Sequence, residues 1–276
     1  VWNRNPAKGG RLVALDGCKE NASIEALDRG LKILNLFAEK GRELGLTEIA
    51  ALLGEHKSTV YRTLATLESR GFVERGALSK RYWVGVSLFT LGSLYQSRME
   101  IRRVARPLAE CLANRFEETV HLGILDEIKI AEGKIVVLDK IETSHPLRLT
   151  PSIGAEADAH ACGVGKAILA YQDEKVVQDI VKRMGLKRYT SNTITALEDL
   201  QRELARVRDQ GYALDEQELE IGLRCVAAPI FNRSGRAVAS VSLSGPTARL
   251  LAERMPQIIE GVKDTARSIT ERLNLS

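Results

Sequence analysis

The stretch Lys57-Ser-Thr-Val-Tyr-Arg-Thr-Leu-Ala-Thr-Leu-Glu-Ser-Arg70 decides how this chain is read. Val60, Leu64 and Leu67 recur at i, i+4 and i+7, a stripe that anchors a short helix on a small core. The remaining circumference carries Lys57, Ser58, Thr59, Tyr61, Arg62, Thr63 and Thr66, cations and hydroxyl groups of the kind that reach phosphate oxygens and base edges. Every surface helix is amphipathic, so the flanking residues must carry the assignment to DNA.

Upstream, Ser23 is placed to cap a helix in which Ile24, Leu27, Leu31, Leu34 and Ala38 recur at three and four spacing up to Gly41. Thr47 is read as the cap of a second, shorter helix with Ile49, Ala50, Leu52 and Leu53 apolar, closed by Gly54. Two short helices joined by a tight glycine-containing turn form a helix-turn-helix, whose second helix reads DNA. After Gly71 the period changes to two: Phe72–Arg75 and Arg81–Gly85 read as strands around the turn 76–80, a wing that brings Lys80 and Arg81 near the DNA backbone.

Charge placement agrees. Residues 1–85 hold 14 Lys and Arg against 10 Asp and Glu, while the remainder balances at 26 of each, so the net charge of +4 resides in the N-terminal third. A length of 276 residues allows two domains. No apolar run approaches the ~18 residues of a membrane span, and the N-terminus lacks an apolar signal core, which predicts a cytoplasmic protein. Cys18, Cys111, Cys162 and Cys225 are widely separated, as are His56, His121, His145 and His160, so no metal-ligand spacing occurs. No metal, cofactor or catalytic residue is assigned.

The expected organisation is α+β in two domains. Residues 1–22 form an N-terminal arm, 23–86 the winged helix-turn-helix, 87–116 linker and dimerisation helices interrupted near Gly92 or Pro107, and 117–276 an antiparallel-sheet effector domain. In the last, strands are expected at Val120–Leu125, Ile135–Ile141, Leu147–Thr150, Val226–Phe231 and Ala237–Ser244. Helices are expected at Gly163–Tyr171, Asp173–Met184 and 195–210, the last opening with a capping box at Thr195 and Glu198, and at 247–273.

Three stretches of this domain suggest chemistry. His160-Ala-Cys-Gly-Val-Gly-Lys-Ala167 lacks the spacing of a phosphate loop and does not place His160 and Cys162 face to face, but it enters a helix whose free N–H groups favour an anion such as a carboxylate. Asp215 to Cys225 reads as an acidic loop running into a strand. Ser242 and Ser244 share one strand face, turned either to water or to a half-polar pocket.

These blocks resemble the isocitrate lyase regulator (IclR) family of bacterial transcription factors over residues 23–273. The resemblance rests on Lys57-Ser-Thr-Val-Tyr-Arg followed by Leu-Glu-Ser-Arg-Gly-Phe-Val-Glu, on Arg81-Tyr-Trp-Val-Gly, on His160-Ala-Cys-Gly-Val-Gly-Lys-Ala, and on Gly222-Leu-Arg-Cys-Val-Ala-Ala-Pro-Ile with Ser242-Leu-Ser-Gly-Pro. It implies a winged-helix head, a linker helix, a sensor domain similar to GAF domains, and a dimer or dimer of dimers on operator DNA. It further implies effector contacts at the backbone of Gly163 and Val164 and at Asp215, Leu223, Cys225, Ser242 and Ser244. Cys162 stands where the family often has Ser or Thr, and Val164 where Ala is common, so the effector of better-known members does not transfer. The segment 126–133 is longer than a usual hairpin turn. Two other readings are a DNA-binding protein that oligomerises without a ligand and an enzyme using Cys225 or Cys162 as nucleophile.

Overall fold

The computed structural model describes residues 24–97, 99–125, 130–143 and 151–275. The expected arm, the Ser23 cap, the strand at 147–150 and the first half of the 126–133 segment lie outside these residues. The chain divides into two compact units between Leu94 and Tyr95.

In the first unit α1 (Glu25–Lys40), α2 (Leu46–Leu53) and α3 (Lys57–Ser69) precede a two-stranded hairpin, β1 (Val73–Arg75) and β2 (Tyr82–Val84). Gly41 and Gly54 end the first two helices in the left-handed region, at φ 61° and 67°. Ile33, Phe37, Leu44, Ile49, Val60, Leu64 and Tyr82 form the core. The α1 stripe read from the sequence is corrected: Ile24, Leu27 and Leu31 are more than half exposed, and α1 buries Gly30, Ile33 and Phe37 instead. A β-carbon at Gly30 would already sit 3.8 Å from the Thr63 methyl.

The Thr47 cap is corrected as well. Helix α2 starts at Leu46, and the Gly45 N–H donates to the Glu48 carboxylate at 3.4 Å.

Helices α4 (Val86–Ser97) and α5 (Glu100–Phe116) follow, and the break falls after Ser97 rather than at Gly92 or Pro107. Helix α5 belongs to the core of the second unit through Ala105, Ala109, Leu112, Ala113 and Phe116. Pro107 is accommodated inside it, whereas α4 buries no residue.

The second unit is built on strands β3 (Thr119–Ile124), β4 (Lys134–Ile141), β5 (Glu156–Asp158), β6 (Ala213–Glu216), β7 (Leu223–Phe231) and β8 (Ala237–Pro246), antiparallel in the order β5-β4-β3-β8-β7-β6. Most positions of β3, β7 and β8 are buried on both faces, because helices cover the sheet on both sides. Helix α5 and the C-terminal helix α9 (Met255–Leu275) cover one face. Helices α6 (Gly163–Leu169), α7 (Glu174–Met184) and α8 (Leu197–Gln210) contribute to the core on the other. The capping box expected at Thr195 does not form: Ala196 is the N-cap, and the Thr195 hydroxyl accepts from Arg188 at 3.1 Å. Asp215 lies on β6 rather than in a loop, since β6 pairs with β7 through Asp215 opposite Cys225. The pairing with β7 and the Glu218 N–H bond to its carboxyl hold Asp215 there against the poor strand propensity of its residue type.

Helix α6 sits very close to its neighbours. A β-carbon at Gly165 would lie 2.2 Å from the Ala159 carbonyl oxygen and 2.3 Å from its α-carbon, in the single turn 159–161. Backbone cannot retreat as a side chain can, so Gly165→Ala is expected to destabilise the second unit by about 1–3 kcal/mol or more, read as a lowered urea midpoint at unchanged slope.

Candidate functional site

On α3, Lys57, Ser58, Tyr61, Arg62 and Thr66 are exposed, and Thr59 and Thr63 are half-buried. The threonines are partly occupied within the helix: Thr63 Oγ1 donates to the Thr59 carbonyl at 3.1 Å and Thr66 Oγ1 to the Arg62 carbonyl at 3.0 Å. With its methyl toward Gly30, Thr63 belongs to the α1 contact more than to the outer face.

In the wing, Lys80 is exposed and takes a φ of 55° at the turn, while Leu78 at the tip is almost fully exposed. Arg81 is not a free tip residue. Its guanidinium donates to the Glu43 carbonyl at 3.0 Å and to the Glu48 carboxylate at 2.7 Å, fastening β2 to the start of α2. Hydrogen bonding from Arg42, with Arg81 beside it, holds the Glu48 carboxyl down at about 2.

In the second unit the residues singled out by resemblance come together on the sheet face beneath α6. Strand pairing sets Asp215 and Ser244 on either side of Cys225, and Ser242 opposite Ala227. Alternation places Cys225, Ala227, Ser242 and Ser244 on one face. A β-carbon on Gly163 would meet Cys225 Sγ at 3.1 Å and the Ala227 β-carbon at 3.4 Å, so the helix backbone covers this face directly. Val164 covers Gly123, whose absent side chain makes room for it. Leu223 is buried at the end of β7, opposite Pro246. Ser242 and Ser244 are buried, which decides against their facing water. Two surface clefts of this unit, about 720 and 320 Å³, are lined by other residues. The paired strands and the glycine-seated helix therefore bring these candidate residues together, and neither cleft does.

Several polar residues of this region were not marked by the sequence. Lys166 is buried and ion-paired to Glu218, with Glu203 at 3.6 Å. The Glu218 N–H donates in turn to Asp215 Oδ1 at 2.7 Å, so the cluster fixes the Asp215 carboxyl. His121 is opposite Ser242 across the β3–β8 pairing, and Ser240 is one step further along the same face. Among the described residues, His121 Nε2 and Ser240 Oγ are buried with no hydrogen-bond partner, while the hydroxyls of Ser242 and Ser244 both lie against the Cys225 thiol. The signal that finds these residues is the strand register, with His121 at i+2 from Thr119 and Ser240 at i−2 from Ser242. His160 is turned away, its Nε2 donating to the Lys187 carbonyl at 3.0 Å.

Burial sets the protonation states. It pushes the Cys225 thiol up to about 12, with the Asp215 carboxylate adding to the effect, and raises the Cys162 thiol too. Both are protonated thiols at neutral pH, which suits binding and not nucleophilic attack. Cys162 Sγ instead accepts the Gly165 N–H at 3.4 Å as the cap of α6. Burial drives His121 down to about 3, so its imidazole is neutral. It also raises Asp215 to about 7, opposed by the Glu218 N–H bond and assisted by the Glu218 carboxylate.

The sequence profile of the IclR helix-turn-helix domain matches residues 26–77, and that described as "Bacterial transcriptional regulator IclR C-terminal" matches residues 93–271. The chain belongs to the IclR family. It is 32% identical over 265 residues to the transcriptional repressor IclR of Escherichia coli (strain K12), covering 96% of each chain. The crystal structure of IclR from Thermotoga maritima superposes with a TM-score of 0.69 at 33% identity, covering 91% of this chain and 99% of that one. An IclR homologue from Microbacterium hydrocarbonoxydans, crystallised with 4-hydroxybenzoate, shares the fold at a TM-score of 0.77 and 23% identity, covering 91% of this chain and all of that one. The protein is thus a DNA-binding transcriptional regulator and not an enzyme. Among the described residues no helix is long and apolar enough to cross a membrane.

Asp215 yields a pH prediction. Its folded value of about 7 lies above the ordinary 3.8, so its contribution is complete below pH 4 and is lost as the pH rises towards 7. Relative to Asp215→Asn, the wild type should lose stability across that interval and show no further difference above it, in urea unfolding at stepped pH.

Proposed function

We propose that this regulator reads an operator half-site through the outer face of α3 and changes its DNA occupancy when a small organic acid binds under α6. The observation that carries the DNA half is the exposed set Lys57, Ser58, Tyr61 and Arg62 on a helix whose opposite face, Val60 and Leu64, is locked into the core. Thr59, Thr63, Thr66 and Lys80 border this set. Arg81 contributes by holding the wing in place, and its remaining exposed surface lies within reach of phosphate.

For the effector, the supporting observation is the convergence of Asp215, Cys225, Ser242 and Ser244 with Leu223 on one buried face, covered by the backbone of Gly163 and Val164. Hydroxyl groups donate to a carboxylate, and a protonated Asp215 does so as well. The 4-hydroxybenzoate held by a protein of this fold is one such acid.

Regulation requires two copies. Helix α4 exposes Val86, Phe89, Leu91, Leu94 and Tyr95 and buries nothing, and α1 exposes Ile24, Leu27 and Leu31. Apolar surface of this extent is covered best by a second chain, giving a dimer or a dimer of dimers. Two reading helices then meet half-sites about 34 Å apart. An acid that binds one spacing of the heads more tightly than another shifts that population.

Arg62→Ala should weaken operator binding about tenfold or more in gel-shift titration, with a shallower salt dependence if Arg62 meets phosphate. Unchanged affinity would remove the α3 assignment. Phe89→Glu should shift the protein to a smaller species in sedimentation and reduce operator binding, while leaving the unfolding midpoint of the second unit intact.

A further inference from the structure

The smaller of the two clefts of the second unit, about 320 Å³, takes no part in the face beneath α6. Its floor is apolar and is drawn from three helices: Val177, Ile180 and Val181 of α7, Leu200 of α8 and Leu169 at the end of α6. Gly133 and Lys134 where β4 begins, Asp158, and the segment 184–189 enclose it. The volume falls at the small end of the range for ligand cavities, about 300–1,000 Å³, which are mainly apolar and carry a few placed polar groups.

Hydrogen bonds hold the wall of this cleft in place. Tyr189 OH donates to Asp158 Oδ2 at 2.6 Å, and buried His160 donates through Nε2 to the Lys187 carbonyl at 3.0 Å. The Tyr189 and Thr190 N–H groups donate to Thr193 Oγ1 at 3.1 and 2.9 Å. A wall fixed in this way has little ordering left to do when a ligand arrives. The charges at the mouth are unevenly engaged. The Asp158 carboxylate accepts from Tyr189, Lys134 is paired with Glu156 at 3.2 Å, and Glu132 on the rim is engaged as well. Lys187 instead lays its ammonium over the Tyr189 ring, 4.7 Å from the centre, a contact that leaves its charge in place. Residues 182–188 hold four cations and no acid, and Arg183 and Arg188 donate to a carbonyl and a hydroxyl rather than to a carboxylate. The mouth therefore favours an anion, and the floor an apolar body.

We propose that this cleft is a second ligand site, for a monocarboxylate with an apolar body of about six to eight carbons. Its carboxylate meets Lys187 and its body lies on Val177, Ile180 and Leu200. The site is separate from the effector reading above and stands without it. The face beneath α6 offers hydroxyls, a thiol and a carboxyl, whereas this floor offers hydrocarbon alone. Affinity here grows with apolar length, by about fourfold for each methylene buried. The ion pair at an exposed lysine adds less, about twofold to fivefold.

Calorimetric titration of the full chain with butyrate, hexanoate and octanoate tests this. Hexanoate should bind about tenfold tighter than butyrate, and octanoate tighter again. Equal affinities along the series, or no binding of octanoate at millimolar concentration, overturn the proposal. Variants at two exposed residues, which the fold tolerates, then locate the site. Lys187→Glu should weaken octanoate about threefold or more and leave octanol unchanged, while Lys187→Arg should keep the wild-type affinity for both. Met184→Glu, which sets a charge against the apolar floor, should weaken octanoate and octanol alike. Ser242→Ala, on the face beneath α6, should change neither. Octanoate that is weakened by Ser242→Ala, or unaffected by both Lys187→Glu and Met184→Glu, is bound elsewhere, and the proposal is then wrong.

Discussion

The close seating of α6 on the sheet is the constraint from which the second unit takes its character. Gly165 lies where a β-carbon would collide with the Ala159 backbone, Gly163 brings the helix onto Cys225 and Ala227, and Gly123 leaves space for Val164. A helix this close leaves a thin layer between itself and the strands, so the groups that line it are short side chains of the sheet: hydroxyls, a thiol, a carboxyl and an imidazole. The same seating buries Lys166 on the next residue, where it pairs with Glu218. A buried ion pair is weak evidence for stability, because desolvation of both charges opposes their attraction. Its evident consequence here is positional: Glu218 is held where its N–H fixes Asp215.

The two units use apolar surface in opposite ways. In the second, α5 and α9 cover one sheet face, and Gly261 lets them approach until a β-carbon there would touch the Phe116 ring. The Glu118 carboxylate is held by Arg249 at 2.6 and 2.8 Å, and Asp139 is held by Arg106 at 3.0 Å, so the buried acids on that side are paired. In the first unit a small core supports α3, and large apolar side chains remain outside on α1.

The reading helix was legible because its apolar stripe, the glycine turn before it and the strand period after it all point to one arrangement. Most strands of the effector domain were legible for the same reason, since Val, Ile and Ala runs between turns have little alternative. Helix α1 was not, because it is apolar on two faces and the one that is buried carries Ile33 and Phe37 with Gly30, not the leucine stripe. Strand β6 was hidden by Asp215 and Glu216, charged residues that seldom build strands. The caps at Thr47 and Thr195 failed because Glu48 and Arg188 engage these helix starts differently. Of the site, the family blocks gave Cys225, Ser242 and Ser244, but Lys166 reads as a surface charge and His121 as an isolated histidine until strand pairing brings them to the others.

Arg81 gives the wing a property that its length does not suggest. A short hairpin would ordinarily adapt to the curvature of a passing duplex, yet this one is fastened through Glu43 and Glu48 to the helix preceding the reader. In the proposed mode of reading, wing and helix would meet the duplex as a coupled pair, and part of operator preference would come from how easily a sequence bends to both. A variant of Glu48, a residue assigned no base contact, would alter that preference by releasing the wing.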